Sequence, residues 1–449
     1  MIRLLILLLL MVQIFSCGKQ EDRLLRVLLH SPVITLDPQT TDDFATLSAL
    51  SNVYESLVTY SDDLKLVPLL AISWNNPDEK TWRFELRKNV FFHDGQPFTA
   101  RDVKYTLDRG ITATGSFVKA EMPDFDSATV IGDHTVEIIT KNPFPLLLSK
   151  MSHILIIKEG SGTYVQKRTN GTGPYQVKEW NPEKQLTLQP FEKYWKTNPY
   201  WQKAVVTWQS DPVARLKAVE RGDADITDVP PIEESLKQRN AAIIQHPSDS
   251  VMFLGFAVKS GGDNPFSDAS VRKAIALAID QRALIREALK GFAQPASQLA
   301  PPDVFGYVSD LPLPRPDLNS AKSLLKQSKF AVGFEQPLYY SSTYSPVAQF
   351  VAGAVQELGI RLVLRQVDMR KMDELLFGQS APAYILQFTF PAMDTSDLLY
   401  FGFHTMTEDR TYGVLNFSGF SDPDLDRLLE ASGTEMDAAR RFALLADGM

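Results

Sequence analysis

Apolar and polar side chains alternate one by one over residues 81–86. The apolar members of this segment are Trp82, Phe84 and Leu86. A period of two is typical of a strand that buries one face, so the segment is predicted to be a half-buried strand. Thr99 and Asp102 then match a capping box, which predicts that a helix begins there. The inward face of that helix is predicted to hold Val103, Thr106 and Leu107.

The turn between this strand and this helix contains His93 and Asp94. Asp94 followed by Gly95 is typical of a tight turn. Neither His93 nor Asp94 has a sequence neighbour at metal-ligand spacing. We therefore interpret both side chains as groups that hydrogen-bond the turn, and not as a catalytic or metal-binding pair.

A second acidic pair, Asp223 and Asp225, follows a short helix predicted over Asp211 to Arg221 and ended by Gly222. Residues 223–229 are predicted to form a strand, which would place both aspartates on one face. No third ligand is near in sequence, so we interpret the pair as a solvated face and not as a metal site.

Longer apolar segments follow in the second half of the chain. Residues 251–258 are predicted to form a buried strand. Helical spacing that begins at Val271 predicts one helix that ends at Gly291, followed by a long proline-rich loop.

Strand, helix and strand patterns then follow each other over residues 336–342, 345–359 and 360–367. Pro346 suits the first turn of the helix, and Ser345 is predicted to cap it. A strand, a helix and a strand in this compact order predict a βαβ unit, so the second half of the chain is expected to be α/β.

The N-terminus has the pattern of a secretory signal. Arg3 precedes an apolar run from Leu4 to Phe15 that is too short to span a bilayer. The run ends at Ser16 and Cys17, which resembles the end of a bacterial lipoprotein signal. Cys17 is the single cysteine in the chain, so no intrachain disulfide is expected. We predict cleavage before Cys17 and lipidation of its sulfur.

Composition narrows the function further. The chain has 449 residues, which is too long for one core, and a net charge of −8 without a basic cluster, which argues against nucleic-acid binding. No phosphate-binding loop, zinc-protease motif or serine nucleophile motif is present. We therefore predict that the protein is not an enzyme and binds no cofactor or resident metal.

One long segment and several short ones carry a resemblance to a known family. Residues 78–109 resemble the signature of the large bacterial extracellular solute-binding proteins of family 5, which serve ABC importers of peptides, nickel and related solutes. The short segments occur in order along the chain at residues 36–38, 53–57, 66–71, 171–175, 221–226 and 422–426.

The resemblance implies an α/β fold with the two-lobed clamp of periplasmic binding proteins, similar to type II, and an extra N-terminal subdomain. Residues 1–17 would be the signal, 18–55 and 170–250 the first lobe, 56–169 the extra subdomain, and 251–449 the second lobe. Ligand would be held between the lobes after hinge closure. Relatives usually continue beyond the equivalent of residues 438–441 to complete the first lobe, so we expect either that this return segment is missing or that the sequence is a truncated product.

The function implied is that of an extracytoplasmic, lipid-anchored receptor. It would capture a peptide-like solute and deliver it, as a monomer, to the permease and ATPase of an ABC importer. One alternative is a receptor for nickel or another metal chelate, for which His404 is the residue to test, although a packed histidine is the interpretation we favour. A second alternative is a cell-surface sensor or chaperone-like protein.

In peptide-binding members of the family an aspartate takes the α-amino group, and in dipeptide binders an arginine takes the carboxylate. Alignment places these positions near Pro391 and Ser342, so neither anchor is present. Asp394 is either a displaced amino anchor or a turn residue. A longer peptide or another solute is therefore expected in place of a dipeptide. The predicted ligand-binding residues are Thr41, Phe253, Tyr340, Ser342, Tyr344, Phe388, Phe390 and Asp394.

Overall fold

The computed structural model describes residues 23–228, 241–244, 248–259, 263–408 and 410–449, so the predicted signal and Cys17 lie outside the described residues. The chain divides into two compact units. Unit 1 contains the residues up to Thr59, Val67–Ile139 and Ile154–Ile243, and unit 2 contains Tyr60–Leu66, Thr140–His153 and Ile244–Met449. The domain boundaries expected from the sequence stay a prediction.

Strands and helices follow one another along the described part of the chain. The strands are β1 (Leu24–Leu29), β2 (Val58–Tyr60), β3 (Leu66–Pro68), β4 (Ala71–Asp78), β5 (Thr81–Leu86), β6 (Phe125–Gly132), β7 (Thr135–Thr140), β8 (Tyr175–Asn181), β9 (Gln185–Pro190), β10 (Lys203–Trp208), β11 (Ile226–Thr227), β12 (Ser250–Phe256), β13 (Phe334–Tyr340), β14 (Ile360–Gln366) and β15 (Ala383–Thr389). The α-helices are α1 (Phe44–Leu50), α2 (Ala100–Thr112), α3 (Val118–Glu121), α4 (Leu147–Met151), α5 (Pro212–Glu220), α6 (Ala269–Ala278), α7 (Gln281–Glu287), α8 (Leu318–Gln327), α9 (Ser345–Gln356), α10 (Met369–Phe377), α11 (Ser396–Gly402), α12 (Pro423–Thr434) and α13 (Ala438–Gly448). Short 3₁₀ helices span Gly162–Gln166, Pro265–Ser267 and Ser342–Tyr344.

Unit 1 contains a five-stranded sheet in the order β11-β1-β10-β9-β8. β1 runs parallel to β10 and β11, whereas β9 is antiparallel to β10 and β8. Leu50, Val53, Leu186 and neighbouring apolar side chains form the core beside this sheet.

A second sheet has the order β4-β5-β7-β6. The strand predicted from alternation is β5, and Trp82, Phe84 and Leu86 are buried in it as predicted. The capping box is also confirmed, because the Asp102 carboxylate accepts the backbone N–H of Thr99 at 2.8 Å. Its helix, α2, buries the predicted inward face.

The family-like segments of unit 1 contact one another. Both ring nitrogens of His93 have hydrogen-bond partners. Nε2 lies 3.0 Å from the carbonyl of Gly173, and Nδ1 accepts the N–H of Gly171 at 3.3 Å. Asp94 accepts the N–H of Gln96 within its own turn and the side-chain amide of Asn170. The scaffold interpretation of the turn is therefore confirmed for Asp94, whereas His93 bonds another loop and not its own turn.

Two further contacts connect these segments. Arg109, at the end of the signature segment, forms an ion pair with the fully buried Asp37. Glu55 accepts hydrogen bonds of 2.9 Å from the side chains of Thr172, Tyr194 and Trp195. Burial raises the pKa of Glu55 despite these donors.

Unit 2 is built on a sheet in the order β12-β15-β13-β14. β13 is parallel to β14 and to β15, and β12 is antiparallel to β15. α9 joins β13 to β14, so the predicted βαβ unit is confirmed. The helix begins one residue earlier than expected, because Ser345 is its first residue and not its cap.

Three local predictions from the sequence are wrong in part. The segment predicted as one helix from Val271 to Gly291 is two helices, because Ile279 is extended and the Asp280 carboxylate accepts the N–H groups that begin α7. β12 is mostly half-buried, with Val251 as its buried residue.

The third correction concerns the acidic pair. The strand after α5 covers only Ile226–Thr227 among the described residues. Neither aspartate is part of this strand, but both are exposed, which agrees with the solvated interpretation; Asp225 is paired with Arg26 at 2.7 Å and Asp223 with Arg221 at 2.8 Å. Residue 229 of the predicted strand lies outside the described residues.

Two buried ion pairs connect distant segments of unit 2. Arg441 of α13 contacts the Asp394 carboxylate through two bonds of 2.6 and 2.8 Å. Lys150 of α4 lies 3.0 Å from Asp397 in α11. In the described ranges, no helix combines the length and the apolar character needed to cross a bilayer.

Candidate functional site

A groove of about 430 Å³ opens in unit 2 at the carboxyl ends of β13 and β14. It is lined by Ser341, Ser342, Thr343, Tyr344, Val367, Asp368, Met369, Met372, Ile385, Leu386 and Gln387. In open α/β sheets, ligands bind beyond the carboxyl ends of the strands, because the connecting loops diverge there. We call this feature the solute groove.

The strand lengths explain why a groove forms. Tyr339 of β13 is paired with Tyr384 of β15. β13 ends one residue later, at Tyr340, whereas β15 continues to Thr389. The side chains of β15 beyond that point form one wall. The turn before α9 and the first turn of α10 form the others.

The walls of the solute groove carry unused polar groups. Among the described residues, the hydroxyls of Ser342 and Thr343 and the side-chain amide of Gln387 form no hydrogen bond within the protein. The Tyr344 phenol is also a donor, and burial raises its pKa further above its usual value. Met369 and Met372 add flexible apolar surface, which adapts to ligands of different shape.

The solute groove contains one charged side chain, and it is negative. Asp368 lies at the start of α10, where its carboxylate accepts the N–H of Lys371 at 2.8 Å. No lysine or arginine is among the lining residues. The first turn of α9 offers few free N–H groups to an anion, because Pro346 has no N–H and the N–H of Ser345 donates to the carbonyl of Ser342.

The structure brings together two of the residues predicted from the sequence, because Ser342 and Tyr344 both line the solute groove. Tyr340 is a buried core residue at the end of β13. Phe253, Phe388 and Phe390 belong to a neighbouring apolar cluster of unit 2, in which the Phe388 and Phe390 rings meet edge to face at 5.0 Å. The role of these residues in ligand binding stays a prediction.

The two remaining predicted residues have partners of their own. Thr41 lies in unit 1, where its hydroxyl accepts the N–H of Asp43 before α1. Asp394 is held by Arg441 and also accepts the N–H and the hydroxyl of Ser396. The role of both residues in ligand binding stays a prediction.

Sequence reasoning missed the other nine lining residues, among them Asp368, Met369, Met372 and Gln387. A usable signal existed for Asp368 and Met369, since Asp368 follows a strand and caps the next helix. In a βαβ unit that junction lies at the ligand-binding edge of the sheet.

His404 is buried, and both of its ring nitrogens have partners within unit 2. Its Nδ1 lies 2.7 Å from the carbonyl of Thr405, its Nε2 lies 3.1 Å from Glu430, and its ring stacks on Tyr412 at 4.4 Å. No group of three or more histidine, cysteine or acidic side chains in the described part of the chain is arranged to hold a metal ion. The packed interpretation of this histidine agrees with these contacts.

Solved structures share this fold along nearly the whole chain. The periplasmic binding protein DppA from Helicobacter pylori in complex with peptide STSA has a TM-score of 0.74 and 23% identity, covering 95% of this chain and 89% of that one. CtaP from Listeria monocytogenes has a TM-score of 0.83 and 20% identity over 94% of this chain and 89% of that one. NikZ from Campylobacter jejuni in complex with Ni(L-His) has a TM-score of 0.77 and 18% identity, covering 95% of this chain and 90% of that one.

The chain therefore has the α/β fold of the two-lobed periplasmic binding proteins, as expected from the sequence, and its relatives are solute-binding proteins and not enzymes. The chain belongs to the bacterial extracellular solute-binding proteins of family 5, whose middle region matches residues 65–408. Its relatives include the glutathione-binding protein GsiB of Pectobacterium atrosepticum, which is 28% identical over 359 residues that cover 76% of this chain and 69% of the relative.

Proposed function

We propose that this protein captures a peptide-like solute outside the cytoplasmic membrane by lobe closure and delivers it to the permease and ATPase of an ABC importer. Membership of the family supports capture of a solute. The names of its relatives support a peptide-like solute, since one is glutathione-binding and a structural neighbour holds the peptide STSA.

The solute groove is the observation that carries the proposal. It combines apolar walls with a few hydroxyl and amide groups, which is the usual composition of a small-molecule site. The predicted residues Ser342 and Tyr344 both lie in it. Backbone groups of an extended peptide would bond the free hydroxyls, and one side chain would fill the space beside Met369 and Met372.

The charge of the solute groove restricts which part of the solute enters it. A carboxylate would lose water without gaining a cation, and it would also meet Asp368. We therefore propose that the solute places an uncharged or cationic group here, and that any free carboxylate lies elsewhere. This restriction agrees with the missing arginine at Ser342, where dipeptide binders are expected to have one.

The location and state of the protein are also proposals. The apolar run from Leu4 to Phe15 and the single cysteine support export and lipidation at Cys17. Substitution Cys17→Ser is expected to release the protein from membranes into the soluble fraction and to abolish incorporation of a labelled fatty acid. We further propose that the anchored protein works as a monomer.

Native mass spectrometry of the purified protein tests the proposal directly. We expect co-purified masses that match short peptides or peptide conjugates. Mixtures of peptides with the co-purified masses but with different charges are then added to ligand-free protein, and the melting temperature of the protein is measured. Failure of every peptide mixture to raise the melting temperature would overturn the peptide-like assignment.

Matched variants locate the binding site. Ser342→Arg fills the solute groove and adds a cation, so we expect it to weaken binding of solutes with an uncharged or cationic end at least tenfold. Ser323→Arg makes the same change on the exposed surface of α8, where the serine bonds only its own helix. Equal affinity in both variants would show that the solute binds elsewhere.

A further inference from the structure

A second groove, of about 770 Å³, lies within unit 1 and is not explained by the proposed function. One side of it is formed by residues 176–180 of β8. The other side is formed by residues 158–161, 164–165 and 167–170, and the turn at His93 and Asp94 also lines the groove. We call this feature the β8 groove. Its volume falls within the range of about 300–1,000 Å³ that is usual for ligand sites.

β8 faces this groove with its backbone edge. Successive side chains of a strand point to opposite faces of the sheet, so five consecutive residues can line one groove only where the edge itself is presented. β8 is the terminal strand of its sheet, and among the described residues its strand partner is β9. The outward N–H and C=O groups of such an edge are a template for another strand.

The residues that line the β8 groove include four cations and three carboxylates, a small excess of positive charge, although the chain as a whole has a net charge of −8. Lys167, Arg168 and Lys178 are exposed there and form no ion pair with any described residue. Of the three carboxylates, Glu159 lies 3.5 Å from Arg101, whereas Asp94 accepts from the neutral amide of Asn170 and keeps its charge, and Glu179 has no described partner.

Aromatic surface is exposed beside these charges. The Tyr164 side chain on the wall opposite β8 is 77% exposed, which is unusual for a large aromatic residue in a groove. Trp180 lies at the other wall and is half-buried, with its indole N–H donating to the carbonyl of Val33. Aromatic rings on both sides of an exposed strand edge suit contacts with alternate side chains of an added strand.

We propose that β8 binds an extended acidic segment of a partner polypeptide by strand addition in this groove. The main chain of the partner would pair with the free edge of β8, and its carboxylates would face Lys167, Arg168 and Lys178. At the start of β8 the Tyr175 N–H already donates to the carbonyl of Asn52, so the edge left for a partner is that of residues 176–180, which a segment of about five residues matches in length. This inference does not depend on which solute the protein carries.

Hydrogen–deuterium exchange of the full chain tests the proposal, with a six-residue peptide of alternating glutamate and valine, capped at both ends, as the probe. We expect slower exchange of the backbone amides of residues 176–180 when the peptide is present. A peptide of the same sequence with N-methyl groups on its pairing edge should give no protection, because it cannot complete the ladder. Unchanged exchange in this strand, or equal protection by the N-methylated peptide, would overturn strand addition.

Charge variants test the rim. Lys167→Glu combined with Arg168→Glu is expected to weaken peptide binding by roughly tenfold. Lys184→Glu combined with Lys193→Glu changes the net charge equally outside the groove and should leave the affinity unchanged. Ser342→Arg blocks the solute groove and should also leave the protection of β8 unchanged. Loss of protection in Ser342→Arg would assign the peptide to the solute groove and reject the β8 site.

Discussion

The ion pair between Arg441 and Asp394 allows a quantitative test of what stabilises unit 2 against unfolding. Both residues are only 4% exposed, and the guanidinium contacts the carboxylate through two short bonds. The same guanidinium also donates to Ser396 and to the carbonyl of Ser432. Removal of either partner leaves the other charge buried without its counter-ion.

The expected magnitude follows from that burial. Breaking a buried pair by removing one partner costs about 3–5 kcal/mol, because the remaining charge has lost its water without compensation. We therefore expect Arg441→Met and Asp394→Leu each to lower the free energy of unfolding of unit 2 by about that amount. The double variant removes both charges and should be less destabilised than the sum of the single variants, although it leaves the buried N–H and hydroxyl of Ser396 without their acceptor.

Urea unfolding measures these free energies in two signals at once. All tryptophans of the chain lie in unit 1, at positions 74, 82, 180, 195, 201 and 208, so tryptophan fluorescence follows unit 1. Far-ultraviolet circular dichroism also reports the helices of unit 2. A shift confined to circular dichroism assigns the lost stability to unit 2.

Two results would contradict this reasoning. Single variants within about 1 kcal/mol of the wild type would mean that the pair is not effectively buried. A double variant as unstable as the sum of the single variants would mean that the side chains act independently. Solute affinity of Asp394→Asn, measured below the unfolding transition, separately tests the predicted role of Asp394 as an amino anchor. A loss of affinity in folded protein is expected only if that role is real.

Three further predictions concern unit 1. Gly171→Ala should lower the melting temperature strongly, since a Cβ there would lie 1.9 Å from the Val53 carbonyl oxygen, whereas Gly132→Ala, with nothing within 4 Å, should be nearly neutral in the same thermal scan. Burial lowers the pKa of His93, so the contribution of this side chain to stability is present above the unfolded pKa of about 6.5 and is lost as the pH falls. His93→Gln should therefore lose less stability than the wild type between about pH 7.5 and 5, as measured by urea titrations. Equal losses in the two proteins would refute this. Thr99→Ala should cost about 1 kcal/mol in urea unfolding, because it removes the hydroxyl of the capping box, which lies 3.2 Å from the Asp102 carboxylate. No change would show that the bond from the Thr99 backbone N–H to Asp102 suffices.

Local elements were predictable from the sequence because their causes lie within a few residues. The alternation in β5 and the capping box of α2 each depend on near neighbours, and both are present. The break at Asp280 is also local, but the apolar spacing continues across it, so the cap was hidden within an apparently continuous helix.

The family resemblance was readable for a different reason. Its segments are scaffold, in which Asp37 pairs with Arg109 and His93 bonds the loop at Gly171 and Gly173. Close packing of this kind tolerates few alternatives. Gly173, for example, leaves no room for a side chain against the carbonyl of Asn52.

The candidate site was only partly predictable, because its walls come from three separate junctions of the sheet. Ser342 and Tyr344 could be found beside one strand end, but Gln387 lies in the middle of β15 and lines the groove only because β13 stops early. The partner of Asp394 is likewise 47 residues away in sequence, and nothing in the spacing indicates it.

The chain passes between the two units five times, and this path has a consequence for the order of folding. Lys150 leaves the ribosome 247 residues before its partner Asp397, an interval of roughly 10–50 s at ordinary rates of synthesis. The segment Thr140–His153 therefore has no partners in unit 2 during this interval, so the Lys150 ammonium and the apolar side chains of the segment stay exposed until the rest of unit 2 has been synthesised. Closure of unit 2 is a late, long-range event, and a chain exported while unfolded would cross the membrane before this unit exists.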